Sequence, residues 1–200
     1  MKKIYLISLA VIAVMVMVLP SIAQANLLSN PGFETEGTIA QDAADWIESG
    51  AAQREPWANH TDLWGMGVVP WESGGTGNAY QEVGIVGGEE YTYNIWTLRD
   101  PGTLNGSFYM TLAWYDGGLY DSENSQTIIV SGTTWEQKTL VATAPATADS
   151  VHVIFGSTGV NYSGKFDDAD LDGAPVPEPA SLLLLGGGLV GLFGIARKKR

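Results

Sequence analysis

The chain has 200 residues with 22 acidic and 10 basic side chains, a net charge of −12, and no cysteine. Six of the ten cations lie at the two ends (Lys2, Lys3, Arg197, Lys198, Lys199, Arg200). Between the ends only Arg54, Arg99, Lys138 and Lys165 face the 21 acids that precede Glu178, a body charge near −17. Such a surface repels nucleic-acid phosphates and anionic lipids, so both are poor partners for the body, and no disulfide is available to staple the fold.

In chain order, Lys2 and Lys3 precede an apolar run from Ile4 to Leu19, and Ala23-Gln24-Ala25 supplies the small residues a signal peptidase reads. Residues 1–25 read as a secretory signal peptide cut after Ala25. The body, 26–172, has the length of one domain with a full hydrophobic core. Its runs alternate. Tyr91, Tyr93 and Ile95 interleave with Thr92, Asn94 and Trp96; Phe108, Met110, Leu112 and Trp114 interleave with Tyr109, Thr111, Ala113 and Tyr115. Residues 127–130, 135–143, 151–155 and 164–171 continue the pattern, and Gly, Asp and Pro clusters such as Gly87-Gly88 and Asp116-Gly117-Gly118 separate them. About eight short alternating runs without a 3.6-residue period predict an all-β fold, an antiparallel jelly-roll β-sandwich.

Seven tryptophans are a high load for such a chain. Trp114 and Trp135 are read as core, and Trp96, Tyr109 and Tyr115 as core first and a sheet-face platform second. Trp57, Trp64 and Trp71 fall in 54–77, which reads as a long loop. Exposed indoles there suit the apolar C–H faces of sugar rings. Asn59 and Asp62, with Arg54, His60 and Glu72, are candidate hydrogen-bonding groups for hydroxyls; the competing reading makes the indoles plugs of an open sandwich end. No Gly-x-Ser-x-Gly, His-Glu-x-x-His or phosphate loop occurs, the histidines are His60 and His152 alone, and no carboxylate pair has a context that singles it out. The chain is read as non-catalytic.

Behind the body, 173–179 forms a linker holding Val176, Pro177, Glu178 and Pro179. An uncharged run of seventeen residues, 180–196, follows, at the short end of what spans a bilayer core of about 30 Å. The basic tail 197–200 is retained on the cytoplasmic side, which predicts a C-terminal transmembrane helix with the body outside.

Two resemblances attach to these residues. The tail resembles the PEP-CTERM sorting signal of Gram-negative bacteria: a Pro-Glu-Pro motif, a short span and a basic end. The resemblance implies a transient membrane anchor processed by an exosortase near the motif, with the product passed to the cell surface or the exopolysaccharide matrix. The body opens with Asn26-Leu27-Leu28-Ser29-Asn30-Pro31-Gly32-Phe33-Glu34 and closes with Gly164-Lys165-Phe166-Asp167-Asp168-Ala169-Asp170-Leu171. Between them lie Tyr80-Gln81-Glu82-Val83 and the turn before Tyr91. This order is similar to the galactose-binding-like jelly rolls, among them many carbohydrate-binding modules, with Pro31 in place of the usual glycine and Ala169 in place of a branched residue. The resemblance implies a structural Ca²⁺ between first and last strands, with Glu34 as a carboxylate ligand, Gly32 as a carbonyl ligand, and Asp167 or Asp168 as the second carboxylate. Strand alternation sends Asp167 and Asp168 to opposite faces, so one of the two is expected at the ion.

Together these expectations describe an exported matrix protein that binds or bridges polysaccharide, associated with exopolysaccharide or biofilm. The alternatives are an adhesive or structural matrix protein without sugar binding, and a glycan-active enzyme.

Overall fold

The computed structural model describes residues 26–69, 76–100, 106–130, 133–158 and 163–173. The expected signal peptide, Trp71, the motif Val176 to Pro179, the span 180–196 and the tail 197–200 lie outside them. Among the described residues no helix is long and apolar enough to cross a membrane.

Among the described residues ten strands form two antiparallel sheets, the expected sandwich. One has the order β1 (Ile47–Gly50), β4 (Gly77–Gly84), β9 (Ser150–Thr158), β6 (Ser107–Asp116), β7 (Leu119–Ile128). The other has β2 (Ala52–Glu55), β3 (Gly65–Val68), β10 (Gly164–Asp172), β5 (Glu90–Arg99), β8 (Glu136–Thr143). Alternation sorts the faces as read: Tyr91, Tyr93, Ile95, Phe108, Met110, Leu112 and Trp114 are buried between the sheets. The region read as a loop after Arg54 is in part a correction, because β3 lies within it. Its four residues, Gly-Met-Gly-Val, are all buried and too short to show alternation.

The opening segment is fixed by two asparagines. Asn26 donates its amide to the Ala169 carbonyl and accepts from the Leu28 and Leu171 amides, while the Leu27 amide reaches the Leu171 carbonyl at 3.0 Å. Asn30, in the left-handed region at φ 48°, donates to the Thr35 and Ala44 carbonyls and accepts from the Thr35 amide. The turn drives Phe33 into a cluster with Trp46 (5.1 Å) and Phe155 (5.7 Å). The core is closed elsewhere by Phe108 and Phe166, whose rings lie 4.9 Å apart.

Gly164 marks the tightest point of that core. A Cβ there would stand 1.9 Å from Phe108 Cζ, and Phe108 is fully buried. Gly164→Ala is expected to destabilise the fold by about 1–3 kcal/mol through overpacking, read as a lowered melting temperature.

Candidate functional site

Three features of the sandwich carry unusual chemistry. The first is a carboxylate cluster under residues 56–64, which fold back over the outer face of the β2-β3-β10-β5-β8 sheet. Asp167 is fully buried and accepts from the backbone amides of His60 (2.6 Å), Thr61 (3.1 Å) and Asp168 (2.8 Å). Asp168 accepts from the Thr61 hydroxyl and from His60 Nδ1, each at 2.7 Å. Glu34 Oε1 accepts from the amides of Leu63 (2.9 Å) and Trp64 (2.8 Å). Gly32 stands among them: a Cβ there would lie 3.7 Å from Asp167 Oδ1, 3.8 Å from Asp168 Oδ1 and 3.8 Å from Glu34 Cγ.

The four residues read as metal ligands are therefore brought together. One part of that reading is corrected: Asp167 and Asp168 both turn toward the same loop. The ladder of β10 against β5 shifts register between Asp167 and Asp170, and Asp168 has φ 47°, so the strand does not alternate there. Burial, and then the neighbouring Asp168, push the Asp167 carboxyl up to about 7 against three hydrogen bonds that lower it. The donor set fits calcium in kind, being carboxylates around a glycine carbonyl. Among the described residues, however, no three His, Asp or Glu side chains converge tightly enough to hold a metal ion as they stand. Asp167 Oδ2 and Glu34 Oε1 are turned to loop amides instead, and the Asp168 oxygens to the Thr61 hydroxyl and His60 Nδ1.

The loop residues read as sugar contacts have defined partners. The Arg54 guanidinium lies 3.7 Å over the Trp64 ring and donates to the carbonyls of Phe33, Ala40 and Glu34, which buries this cation to 3% exposure. Trp57, 40% exposed, rests an edge of its ring on β3 where Gly67 leaves room; a Cβ there would come within 2.6 Å of the indole. Asn59 donates to the Asp62 carbonyl, and Asp62 sits at φ 51° in the turn. Trp135, read as core, is half-buried outside it. The His60 ring stacks on Trp96 (4.2 Å, 17°) and lies 5.0 Å from Trp135 on the outer side of the sheet.

The second feature is an aromatic row on the outer face of the other sheet. Tyr80 (β4), His152 (β9), Tyr115 (β6) and Tyr120 (β7) stand side by side. Ring separations are 4.7 Å for Tyr80–His152, 4.2 Å for His152–Tyr115 and 5.9 Å for Tyr115–Tyr120. Glu82 Oε2 is 3.7 Å from His152 Nε2. Tyr109 lies across β9 and bonds the Asn78 side chain. Gly156 makes this possible, since a Cβ there would be 2.7 Å from the Tyr109 hydroxyl. Thr111 and Ser125 pair at 2.7 Å in the same face. Each ring could be seen in the sequence as an outward strand position; their meeting depends on the β4-β9-β6-β7 order, for which the sequence holds no local signal.

The third is a carboxyl pair, Asp42 and Glu48, beside an open cleft of about 360 Å³ lined also by Trp46 and Ile47. Glu48 accepts from the Ala43 amide at 2.8 Å and shares a side-chain hydrogen bond with Asp42. Burial, then Asp42, push its carboxyl up to about 7, opposed by the Ala43 bond and by Arg54.

With this geometry in hand, the comparisons divide by region. Residues 175–199 match the PEP-CTERM protein-sorting motif. No curated protein matches the chain. Among solved structures, the enzymatically active domain of bacteriophage CBA120 tailspike protein 4 aligns over 74% of this chain at TM-score 0.58 and 14% identity, and the chain spans only 21% of it. TmCBM61 in complex with beta-1,4-galactotriose aligns over 74% of this chain and 97% of its own at TM-score 0.52 and 20% identity. The C-terminal family 22 carbohydrate binding module of Clostridium thermocellum Xyn10B aligns over 78% and 98% at TM-score 0.53 and 17% identity. At these identities the likeness is one of fold: a jelly-roll sandwich shared by binding modules and by enzyme domains.

The Asp42–Glu48 pair has a measurable signature. A carboxyl raised from 4.5 to about 7 takes up a proton on folding. Its contribution to stability therefore falls as pH rises from about 4.5 through 7. Glu48→Gln is expected to flatten that fall, leaving the variant more stable than the parent by roughly 1 kcal/mol at pH 8 and near parity at pH 4.5. Urea denaturation at the two pH values measures it.

Proposed function

We propose that this is an exported, non-catalytic glycan-binding protein whose C-terminal sorting segment anchors it until an exosortase processes it, delivering a calcium-stabilised sandwich to the cell surface or exopolysaccharide matrix. The observation that carries the binding reading is the row Tyr80, His152, Tyr115 and Tyr120. Aromatic rings on a sheet face, bordered by the hydroxyls of Thr111 and Ser125 and the carboxylate of Glu82, offer apolar C–H contact and hydrogen bonds together. Lysine and arginine have no part in this row, and the body is strongly acidic, which favours neutral glycans over polyanions. The fold shared with binding modules of families 61 and 22 supports the same reading. In it Trp57 and Trp64 are braces of the 56–64 loop.

A second reading, a matrix protein without sugar binding, rests on the sandwiching of His152 between Tyr80 and Tyr115, which spends ring faces on one another. Tyr120 decides between them, because it is 57% exposed and its loss leaves the core intact. Tyr120→Ala is expected to weaken retention on a neutral polysaccharide about fivefold, the equivalent of roughly 1 kcal/mol of aromatic contact. Affinity electrophoresis through gels of β-1,4-galactan, xylan and the host's own exopolysaccharide measures it, and unchanged migration of parent and variant in all three favours the second reading.

Calcium is assigned to Gly32, Glu34, Asp167 and Asp168. The ion would neutralise the buried Asp167 and its neighbour, and the 60–64 amides that now satisfy the carboxylates would give way to it. Because binding to the folded state alone raises stability, adding a millimolar excess of Ca²⁺ after chelation is expected to raise the melting temperature by several degrees. Asp167→Asn should abolish that rise. A melting temperature indifferent to chelator and calcium removes the ion from the proposal.

A further inference from the structure

The outer face of the β2-β3-β10-β5-β8 sheet carries an aromatic and polar patch of its own. Tyr91, Tyr93, Ile95 and Thr97 of β5 are buried, so Asn94 and Trp96 point outward. Asn94 lies between Asp170 on β10 and Thr139 on β8 by register. Its amide donates to Asp170 Oδ2 at 3.3 Å and its carbonyl accepts from the Thr139 hydroxyl at 2.7 Å. That leaves the second amide hydrogen of Asn94 and the other oxygen of Asp170 for a ligand. One step along the same face the His60 ring stacks on Trp96 and lies 5.0 Å from the tilted Trp135 ring, and both indoles are half-buried.

We infer that this patch, His60, Asn94, Trp96, Trp135, Thr139 and Asp170, is a second glycan site on the opposite side of the molecule, so that one domain bridges two polysaccharide chains. It rests on the reading that the tyrosine face binds neutral glycan. The two patches lie on outward faces of sheets packed about 10 Å apart, with the core between them, so a single extended chain cannot lie on both. The ligand class is the same by charge. Asp170, and Asp168 bonded to the His60 ring, make the patch acidic, which disfavours a polyanion, while a carboxylate and a carboxamide beside indole rings suit the hydroxyls and C–H faces of a neutral pyranose.

The sites can be separated because their chromophores differ: among the described residues the tyrosine face has no tryptophan. The full chain is placed at one copy per nanodisc and titrated with β-1,4-galactan and with xylan, following tryptophan fluorescence and light scattering. The expected result is a glycan-dependent change in tryptophan emission together with a rise in scattering as chains are cross-linked. Tyr115→Ala with Tyr120→Ala should abolish the scattering rise and keep the emission change. Trp135→Ala should abolish both the scattering rise and most of the emission change while retention through the tyrosine face persists. Should Trp135→Ala unfold, Asn94→Ala with Asp170→Ala, which alters surface groups alone, should reproduce the loss of cross-linking. Binding with no scattering rise, and lost entirely in the tyrosine variant, overturns the second site and leaves the first. Absence of any binding overturns both.

Discussion

Between Asp167 and Asp170 the ladder of β10 against β5 slips, and two carboxylates that regular pleating would send to opposite faces end on the same side. The rest of the candidate metal region follows from that slip. Two acids in one place, one of them fully buried, require hydrogen-bond partners, and the loop supplies the His60 and Thr61 amides to Asp167 and the Thr61 hydroxyl and His60 ring to Asp168. The loop is then committed to this position. Its own residues are held by the Arg54 guanidinium on Trp64 and by the Trp57 edge on Gly67. The loop is thus ordered by the electrostatic need of the carboxylates beneath it.

The sandwich was legible because buried and exposed positions alternate over eight- to ten-residue strands such as β5, β6 and β9, and turns between them carry Gly, Asp and Pro. The three shortest strands escaped. β3 is wholly buried, while β1 and β2 are four residues each, too few for a period to emerge. The clustering of Gly32, Glu34, Asp167 and Asp168 was reached by resemblance rather than by spacing, since 132 residues lie between Glu34 and Asp167. What strand alternation hid was the bulge, whose mark is one residue in the left-handed region at Asp168.

The aromatic residues show a different limit. Trp135 and Trp114 are indistinguishable as sequence, yet Trp114 is buried with its indole N–H bonded to Asn124, whereas Trp135 lies outside the core beside His60. Tyr80, His152, Tyr115 and Tyr120 come from four strands, and apart from Tyr115 and Tyr120 on the β6–β7 hairpin the nearest pair in sequence, Tyr120 and His152, is 32 positions apart; only sheet order makes neighbours of them. Periodicity says which way a side chain points from its strand. It carries no information on which strands are adjacent, and a binding face is a property of adjacency.

The first and last described segments lie together, Leu27 bonded to Leu171, with the sorting motif beginning at residue 175 just beyond Gly173. β10, the strand that leads to it, is interior to its sheet, paired with β3 on one side and β5 on the other. A tension applied along the tail while the body is held therefore loads both ladders in shear. Their hydrogen bonds share the force in parallel instead of opening one after another, as they would in a strand peeled from an edge. The strand that leads to the sorting motif thus resists a pull from its C-terminal end better than an edge strand would.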